Sequence, residues 1–94
     1  MYQPSLSLTA CHPIFKALGD EKRLAIIDIL SQKDKVCVCE FIHLFSLSQS
    51  KLSYHLKILL DANLITKSQQ GTWNYYSLNK DVLTSVLSSN LLKM

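Results

Sequence analysis

The chain has 94 residues, a hydrophobic fraction of 48%, two glycines, two prolines and a formal net charge of +3 at pH 7. This length makes one small domain, and the composition argues against a disordered or loop-stapled protein. The longest apolar run, residues 24–30, is short and interrupted by Asp28, and no signal segment opens the chain. We therefore expect a cytoplasmic protein with no membrane span.

The first predicted elements are an N-terminal arm and two helices. Residues 1–11 form an arm of mixed serine and leucine without a clear period. Pro13 suits the first turn of a short helix that ends at Gly19. Asp20 is a good N-cap for a second helix. The apolar stripe of this second helix is predicted to consist of Leu24, Ile27 and Leu30.

A helix-turn-helix is predicted in the middle of the chain. A third helix runs from about Val36 to Phe45, and Ser48 is the N-cap of a fourth helix that extends to about Ala62. The connection of about three residues between them matches the spacing of a helix-turn-helix. The stripes predicted to face the core are Val38, Phe41, Ile42 and Phe45 in the third helix and Leu52, Leu56, Leu59 and Leu60 in the fourth.

A β-hairpin and a final helix complete the chain. β-branched and aromatic residues flank the turn signal Gln70-Gly71, which predicts a wing over about residues 64–78. Asn79 caps a last helix at about residues 80–92, and the same helix of a second copy would cover its apolar stripe. The predicted fold class is therefore mainly α with a β-hairpin wing. It is a winged helix-turn-helix that occupies residues 1–94 as a single domain and forms a homodimer.

The outer face of the fourth helix has the chemistry of a DNA-reading surface. Gln49 in its first turn can pair with adenine in the major groove, and the hydroxyl and ammonium side chains that follow suit phosphates. A plain solvated face has the same polarity, but the order helix, turn, helix, hairpin favours DNA. His55 lies between the two faces, and a hydrogen-bonded structural histidine is equally compatible with its position. The predicted DNA-binding residues are Gln49, Ser50, Lys51, Ser53, Tyr54, His55, Lys57 and, from the wing, Lys67.

Two cysteines, Cys37 and Cys39, stand two residues apart at the predicted start of the third helix. Their thiolates suit soft, thiophilic ions and disfavour hard ions such as Mg²⁺ and Ca²⁺. In a regular helix the two side chains point about 200° apart, so binding one ion would require the first turn to unwind. Such a deformation would couple ion binding to the helix that reads DNA.

A closed soft site needs a third ligand, and Cys11 is the only other thiol in the sequence. It could come from the same subunit or from a second one. Three alternatives remain open at this point. The cysteines can be ordinary small hydrophobes, they can form a mixed zinc site with His12 or His43, or two of them can oxidise to a disulfide.

Four segments carry a resemblance to a known family. They are FKALGD at residues 15–20 with Arg23-Leu24 following, VCVCE at residues 36–40, LSQSKLSYHL at residues 47–56 and GTWNYYSL at residues 71–78. In order and spacing they resemble the ArsR/SmtB family of bacterial winged-helix repressors, over roughly Ile14 to Leu78. The resemblance implies a homodimer built on the first and last helices, which represses its operator when free of metal and releases it when metal binds.

The VCVCE segment resembles the metal box of the arsenic and cadmium/lead sensors, in which Cys37 and Cys39 match the two box thiolates. Ile42 stands where the arsenic type has a third box cysteine. The resemblance therefore makes Cys11 the candidate for the third thiolate ligand. Three thiols fit trivalent arsenic or antimony, which prefer three sulfur ligands, better than they fit the four-thiolate site of the cadmium/lead sensors. The last helix lacks histidine and has only Asp81 near its start. The ligands expected for the metal site of the zinc-sensing branch are therefore missing from this helix.

We therefore predict a dimeric repressor of double-stranded operator DNA that is released by As(III) or Sb(III) bound to Cys37, Cys39 and Cys11. The first alternative is a redox-sensing repressor in which two of the thiols oxidise. The second, from another class, is a winged-helix protein-interaction module with inert cysteines. No nucleophile stands beside a base and no phosphate-binding glycine loop occurs, so we do not expect an enzyme.

Overall fold

The computed structural model describes residues 11–86, so most of the predicted arm and residues 87–92 of the predicted last helix lie outside the described residues. The described chain is mainly α with a β-hairpin wing, which confirms the predicted winged helix-turn-helix. The elements are α1 (His12–Leu18), α2 (Glu21–Gln32), β1 (Val36–Cys37), α3 (Val38–Phe45), α4 (Gln49–Asp61), β2 (Ile65–Gln70), β3 (Trp73–Leu78) and α5 (Lys80–Val86).

Local capping chemistry sets the starts of α2 and α4. The Asp20 carboxylate accepts the backbone N–H groups of Lys22 and Arg23 at 2.9 and 3.1 Å. The Arg23 N–H lowers the pKa of this carboxyl below 3.8, because a hydrogen-bond donor stabilises the ionised form. The Ser48 hydroxyl accepts the N–H of Lys51 at 3.2 Å. The predicted N-caps of α2 and α4 are confirmed.

The wing is an antiparallel pair, β2 and β3, whose register runs from Ile65 opposite Leu78 to Gln70 opposite Trp73. Gly71 has a φ of 64° at the turn, a conformation that glycine adopts without steric cost. The predicted wing is therefore confirmed. A third strand, β1, was not predicted. It pairs with β3 on the side away from β2, with Val36 opposite Tyr76 and Cys37 opposite Tyr75.

The predicted start of the third helix at Val36 is wrong, because α3 begins at Val38. Cys37 has φ −71° and ψ 145°, which is extended backbone at the N-cap position. Both strand residues pair with β3, and the Val36 side chain is completely buried. The prediction that a regular helix separates the two thiols is therefore also wrong.

The core lies between the helices and the sheet, and its largest fully buried side chains include Phe41 of α3. Leu24, predicted to face this core, is 51% exposed, and Ile26 takes its place with Leu30. Apolar residues fill almost all of positions 24–30, so spacing alone does not select the inner face of α2. Packing against α1, α4 and β3 selects it. The other fully buried large side chains are Ile26, Leu30, Val36, Leu52, Leu56, Leu59 and Leu64.

Candidate functional site

The thiols of Cys37 and Cys39 lie 2.7 Å apart, Sγ to Sγ. Cys37 is the last residue of β1 and is buried, whereas Cys39 is in the first turn of α3 and is exposed. Because Cys37 is extended and precedes the helix, its side chain meets that of Cys39 without unwinding of the helix. The structure thus brings the two thiols together, although the geometry of a regular helix predicted that they would point apart.

The donor set of this pair fits a soft ion. Two sulfurs bound to one ion at about 2.3 Å stand about 3.3 to 3.8 Å apart, so the two thiols would separate by about 1 Å on binding. A displacement of Cys37, of Cys39 or of both brings the two sulfurs to that separation. The hydrogen bond with Cys37 raises the pKa of the Cys39 thiol, because the bond stabilises the protonated form. Ion binding at this pair therefore displaces a proton.

An open cleft of about 270 Å³ gives Cys39 access to solvent. An ion pair crosses one side of the cleft, with Lys33 Nζ 3.2 Å from Glu40 Oε2. Both partners are about half exposed, so the pair adds little stability. The remaining lining residues are His43 and Leu44. An ion can therefore reach Cys39 directly from solvent, while Cys37 lies behind it.

Cys11, the third predicted ligand, is buried at the start of α1. Between residues 11 and 86, no three His, Cys, Asp or Glu side chains come close enough together to hold a metal ion. Cys11 therefore does not join Cys37 and Cys39 within this part of one chain. The same finding applies to His43, which shares the cleft with Cys39, and to His12.

The exposed side of α4 carries the predicted DNA-binding residues. The leucine stripe is buried at Leu52, Leu56 and Leu59, while Leu60 is half-buried. Lys57 Nζ lies 3.3 Å from the Asp61 carboxylate, but both side chains are largely exposed, so water screens this pair. Exposed on α4 are Gln49, Ser50, Lys51, Ser53, Tyr54 and Lys57, and Lys67 is exposed on β2.

His55 differs from its neighbours because its side chain turns inward and is only 13% exposed. Its Nδ1 lies 3.1 Å from Nη1 of Arg23 and 3.8 Å from the Asp20 carboxylate. Of the two alternatives, the structure places it in the hydrogen-bonded position. The contact with Arg23 was not predicted, because 32 residues separate it from His55 and no local pattern relates them.

The wing and the thiol pair are direct neighbours, which the sequence also did not predict. Cys37 pairs with Tyr75 of β3, and Lys35 Nζ lies 4.9 Å from the centre of the Tyr75 ring. At the other end of the wing, Trp73 is 54% exposed next to the turn at Gly71. An aromatic residue beside a turn glycine was the signal that could have marked Trp73 as a candidate contact residue.

None of the helices between residues 11 and 86 combines the length and the hydropathy needed to cross a bilayer. A family model described as "Bacterial regulatory protein, arsR family" matches residues 20–67. This match contains the thiol pair and all the predicted DNA-binding residues.

Two relatives and one solved structure extend this similarity. The "Arsenical resistance operon repressor" of Bacillus subtilis (strain 168) is 58% identical over 77 residues, which cover 82% of this chain and 73% of the relative. The protein of the same name from Staphylococcus aureus is 37% identical over 76 residues, with 81% and 72% covered. The crystal structure of NolR from Sinorhizobium fredii has a TM-score of 0.76 at 28% identity, covering 95% of this chain and 92% of that one.

Proposed function

Because the chain belongs to the arsR family of bacterial regulatory proteins, we propose that it is a homodimeric repressor released from operator DNA by trivalent arsenic or antimony. The family comprises DNA-binding transcription regulators and not enzymes. The observation that carries the proposal is the approach of Cys37 and Cys39 to 2.7 Å beside a cleft, on a fold whose α4 presents a polar outer face. The names of the two relatives support repression and an arsenic-type inducer.

The number and kind of donors favour a trivalent ion. The chain contains three cysteines, which match three sulfur ligands and fall short of a four-thiolate cadmium or lead site. Zinc commonly adds histidine or carboxylate ligands. No side chain of that kind completes a three-ligand group with the thiol pair among residues 11–86. When bound, the ion supplies a cross-link between β1 and the first turn of α3.

Cys11 completes the site, in this proposal, from the second subunit. The described part of one chain does not place Cys11 with the thiol pair, so a three-sulfur site needs a copy of Cys11 from elsewhere. A dimer supplies it. The dimer itself is supported by the apolar stripe that the sequence continues beyond residue 86.

The pairing of β1 with β3 supports a specific route for release. Separating the two thiols to ion-binding distance displaces Cys37, which is the strand residue opposite Tyr75 of the wing. The disturbance therefore reaches the wing through backbone pairing, without unwinding of α3. This route replaces the helix deformation expected from the sequence.

Hydrogen exchange tests this route. With arsenite bound, we expect amides of residues 73–78 to exchange at least about tenfold faster, since local opening sets exchange rates. Peptides from α4 should change less. Mass spectrometry of the DNA-free protein, with and without arsenite, measures both regions, and Cys39→Ser supplies the control that should show no change. Faster exchange confined to α4 would contradict the wing route.

Two substitutions on α4 separate phosphate contact from base reading. Lys57→Ala should weaken binding to all duplexes and reduce the slope of log K against log salt by about 1, because one phosphate contact is lost. Gln49→Ala should mainly relax sequence preference, by about 1–3 kcal/mol at one base pair. Fluorescence anisotropy at several salt concentrations measures both effects. A change confined to dimer formation in either variant would remove its residue from the DNA surface.

A second candidate function is redox sensing, because the separation of 2.7 Å also brings the two sulfurs close to disulfide-bonding distance. Hydrogen peroxide would oxidise two thiols to one disulfide and be reduced to two water molecules. DNA release by arsenite, antimonite, cadmium, zinc and peroxide should be compared on the reduced protein. Release by arsenite or antimonite at the lowest concentration supports the proposed function. Release by peroxide alone, with a mass loss of about 2 Da, supports the alternative.

A further inference from the structure

Arg23 joins three helices at one point. Its Nε donates to the backbone carbonyl oxygen of Ala17 in α1 at 2.6 Å, and its Nη1 lies 3.1 Å from Nδ1 of His55 in α4. Arg23 itself is in the first turn of α2, where its N–H is held by the Asp20 carboxylate. We term the side chains of Arg23, His55 and Asp20, with the Ala17 carbonyl, the Arg23 clamp.

The chemistry of the clamp requires these residue types. A guanidinium only donates hydrogen bonds, so Nδ1 of His55 is the acceptor of this bond. The Ala17 carbonyl is in the last turn of α1, where carbonyls lack intrahelical partners. The rigid fork of arginine reaches both acceptors at once, whereas lysine presents a single ammonium group on a flexible stem.

The clamp restricts the rotation of α4 about its own axis, which the apolar core determines less strictly. Buried Leu52, Leu56 and Leu59 hold α4 against the core. Apolar packing is non-directional, whereas hydrogen bonds depend on angle, so the bond to His55 restricts rotation of α4 about its axis. Tyr54, the next residue, is 61% exposed on the DNA-facing side, and its ring meets the His55 ring edge-on at 5.3 Å. Holding His55 therefore sets the direction of the exposed face.

We propose that Arg23 and His55 are positioning residues for operator binding, which set the orientation of α4 relative to α1 and α2 without needing to touch DNA. The inference rests on the proposed function and on the homodimer of first and last helices that the family resemblance implies. Two reading helices must enter major grooves about 34 Å apart along the duplex. A rotation of α4 against α1 misplaces both helices at once, so a small loss of alignment is doubled in the dimer.

A matched pair of variants at position 55 tests this role. Asn carries its amide oxygen near the position of Nδ1, so His55→Asn keeps the acceptor for Arg23. Gln places its amide further out, near the position of Nε2, so His55→Gln loses that acceptor although Gln is the better helix former. We expect operator affinity to fall about tenfold to a hundredfold for His55→Gln and to stay within about threefold for His55→Asn.

The second variant is Arg23→Lys, which keeps the positive charge and removes the fork. We expect it to lose operator affinity as His55→Gln does, and the double variant to lose little more, because both break the same bond. The DNA probe is a duplex that the wild-type protein selects from a random pool of 35-base-pair sequences. Dimer formation by sedimentation and thermal unfolding are measured on every variant.

Every result of these measurements either supports or overturns the inference. Coupling between the two positions in operator affinity, with dimers intact, supports positioning. Coupling only in thermal stability, with unchanged affinity, assigns the clamp a purely structural role and overturns the inference while the proposed function stands. Equal losses for His55→Asn and His55→Gln also overturn it. If the wild-type protein selects no duplex, the proposed function fails, and the inference fails with it.

Discussion

A protein carrying Cys39→Ser is expected to bind operator DNA as tightly as the wild type and to resist release by arsenite. Cys39 is the exposed member of the thiol pair and lies in α3, not on the polar face of α4. A serine hydroxyl is a hard donor that does not replace a soft thiolate. Loss of an outer-sphere partner alone weakens metal binding about tenfold to a hundredfold, so losing a ligand should raise the releasing concentration by at least about a hundredfold.

The measurement is operator occupancy by fluorescence anisotropy during an arsenite titration under reducing conditions. His43→Ala is the matched control, because His43 lines the same cleft as Cys39 and does not complete a ligand group among the described residues. It should behave as the wild type. Arsenite release that persists unchanged in Cys39→Ser would remove the thiol pair from the sensor.

Cys11→Ser addresses the third ligand in the same titration. If Cys11 of the second subunit binds the ion, the variant should bind DNA normally and lose most of its response to arsenite. Mixed dimers of Cys11→Ser with Cys39→Ser subunits then retain one complete site, because each inter-subunit site takes Cys11 from one chain and Cys39 from the other. An unchanged response of Cys11→Ser would leave the site with two sulfur ligands from this chain.

Phe41→Ala is expected to cause the largest loss of stability of any substitution considered. The side chain is completely buried, and its ring lies 6.1 Å from that of Phe45 and 6.5 Å from that of Tyr76. Truncating a buried phenylalanine removes about 3–5 kcal/mol through lost burial and the cavity that remains. A small domain has about 5–15 kcal/mol in total, so the variant should lose a large part of its stability and unfold at a markedly lower urea concentration.

Leu44→Ala is the control for this change, because Leu44 is in the same helix and is 53% exposed. Its free energy of unfolding should change by less than about 0.5 kcal/mol. Urea denaturation followed by circular dichroism at fixed protein concentration measures both variants. A loss below about 1.5 kcal/mol for Phe41→Ala would mean that α3 does not anchor the core as described.

The predictions for Cys39→Ser and Phe41→Ala concern one region of the molecule. Phe41 packs from α3 onto Tyr76 of β3, and Tyr76 is the strand partner of Val36, next to Cys37. Burial raises the pKa of the Tyr76 hydroxyl, which is consistent with a ring held in the core. The packing that stabilises the fold therefore also holds the thiol pair against the wing.

Local chemistry explains the features that were predicted correctly. Asp20 and Ser48 cap helices through bonds to residues two or three positions away, and Gly71 supplies the backbone conformation of a tight turn. Alternation and helical spacing similarly identified the inner stripe of α4. The residues of each pattern are close together in the sequence, so the pattern can be recognised without knowledge of the tertiary structure.

The features that were missed depend on partners far along the chain. The inner face of α2 is set by the elements packed on it, because its apolar run offers two equivalent faces. The Arg23–His55 contact spans 32 residues. No spacing rule in the sequence connects the residues that form these two features. Both features concern how the helices are oriented, whereas local patterns predict only that the helices form.

The sequence by itself determined the winged helix-turn-helix, the outward residues of α4 and the presence of two soft ligands at one place, since each follows from local propensity and residue type. Only the tertiary structure decided how the thiols meet. Val36 and Cys37 continue into a helix by local pattern, yet β3 offers them backbone partners and a buried position for Val36. Because pairing with a distant strand outweighs local helix preference, Cys37 lies outside α3, reaches Cys39 and adjoins the wing.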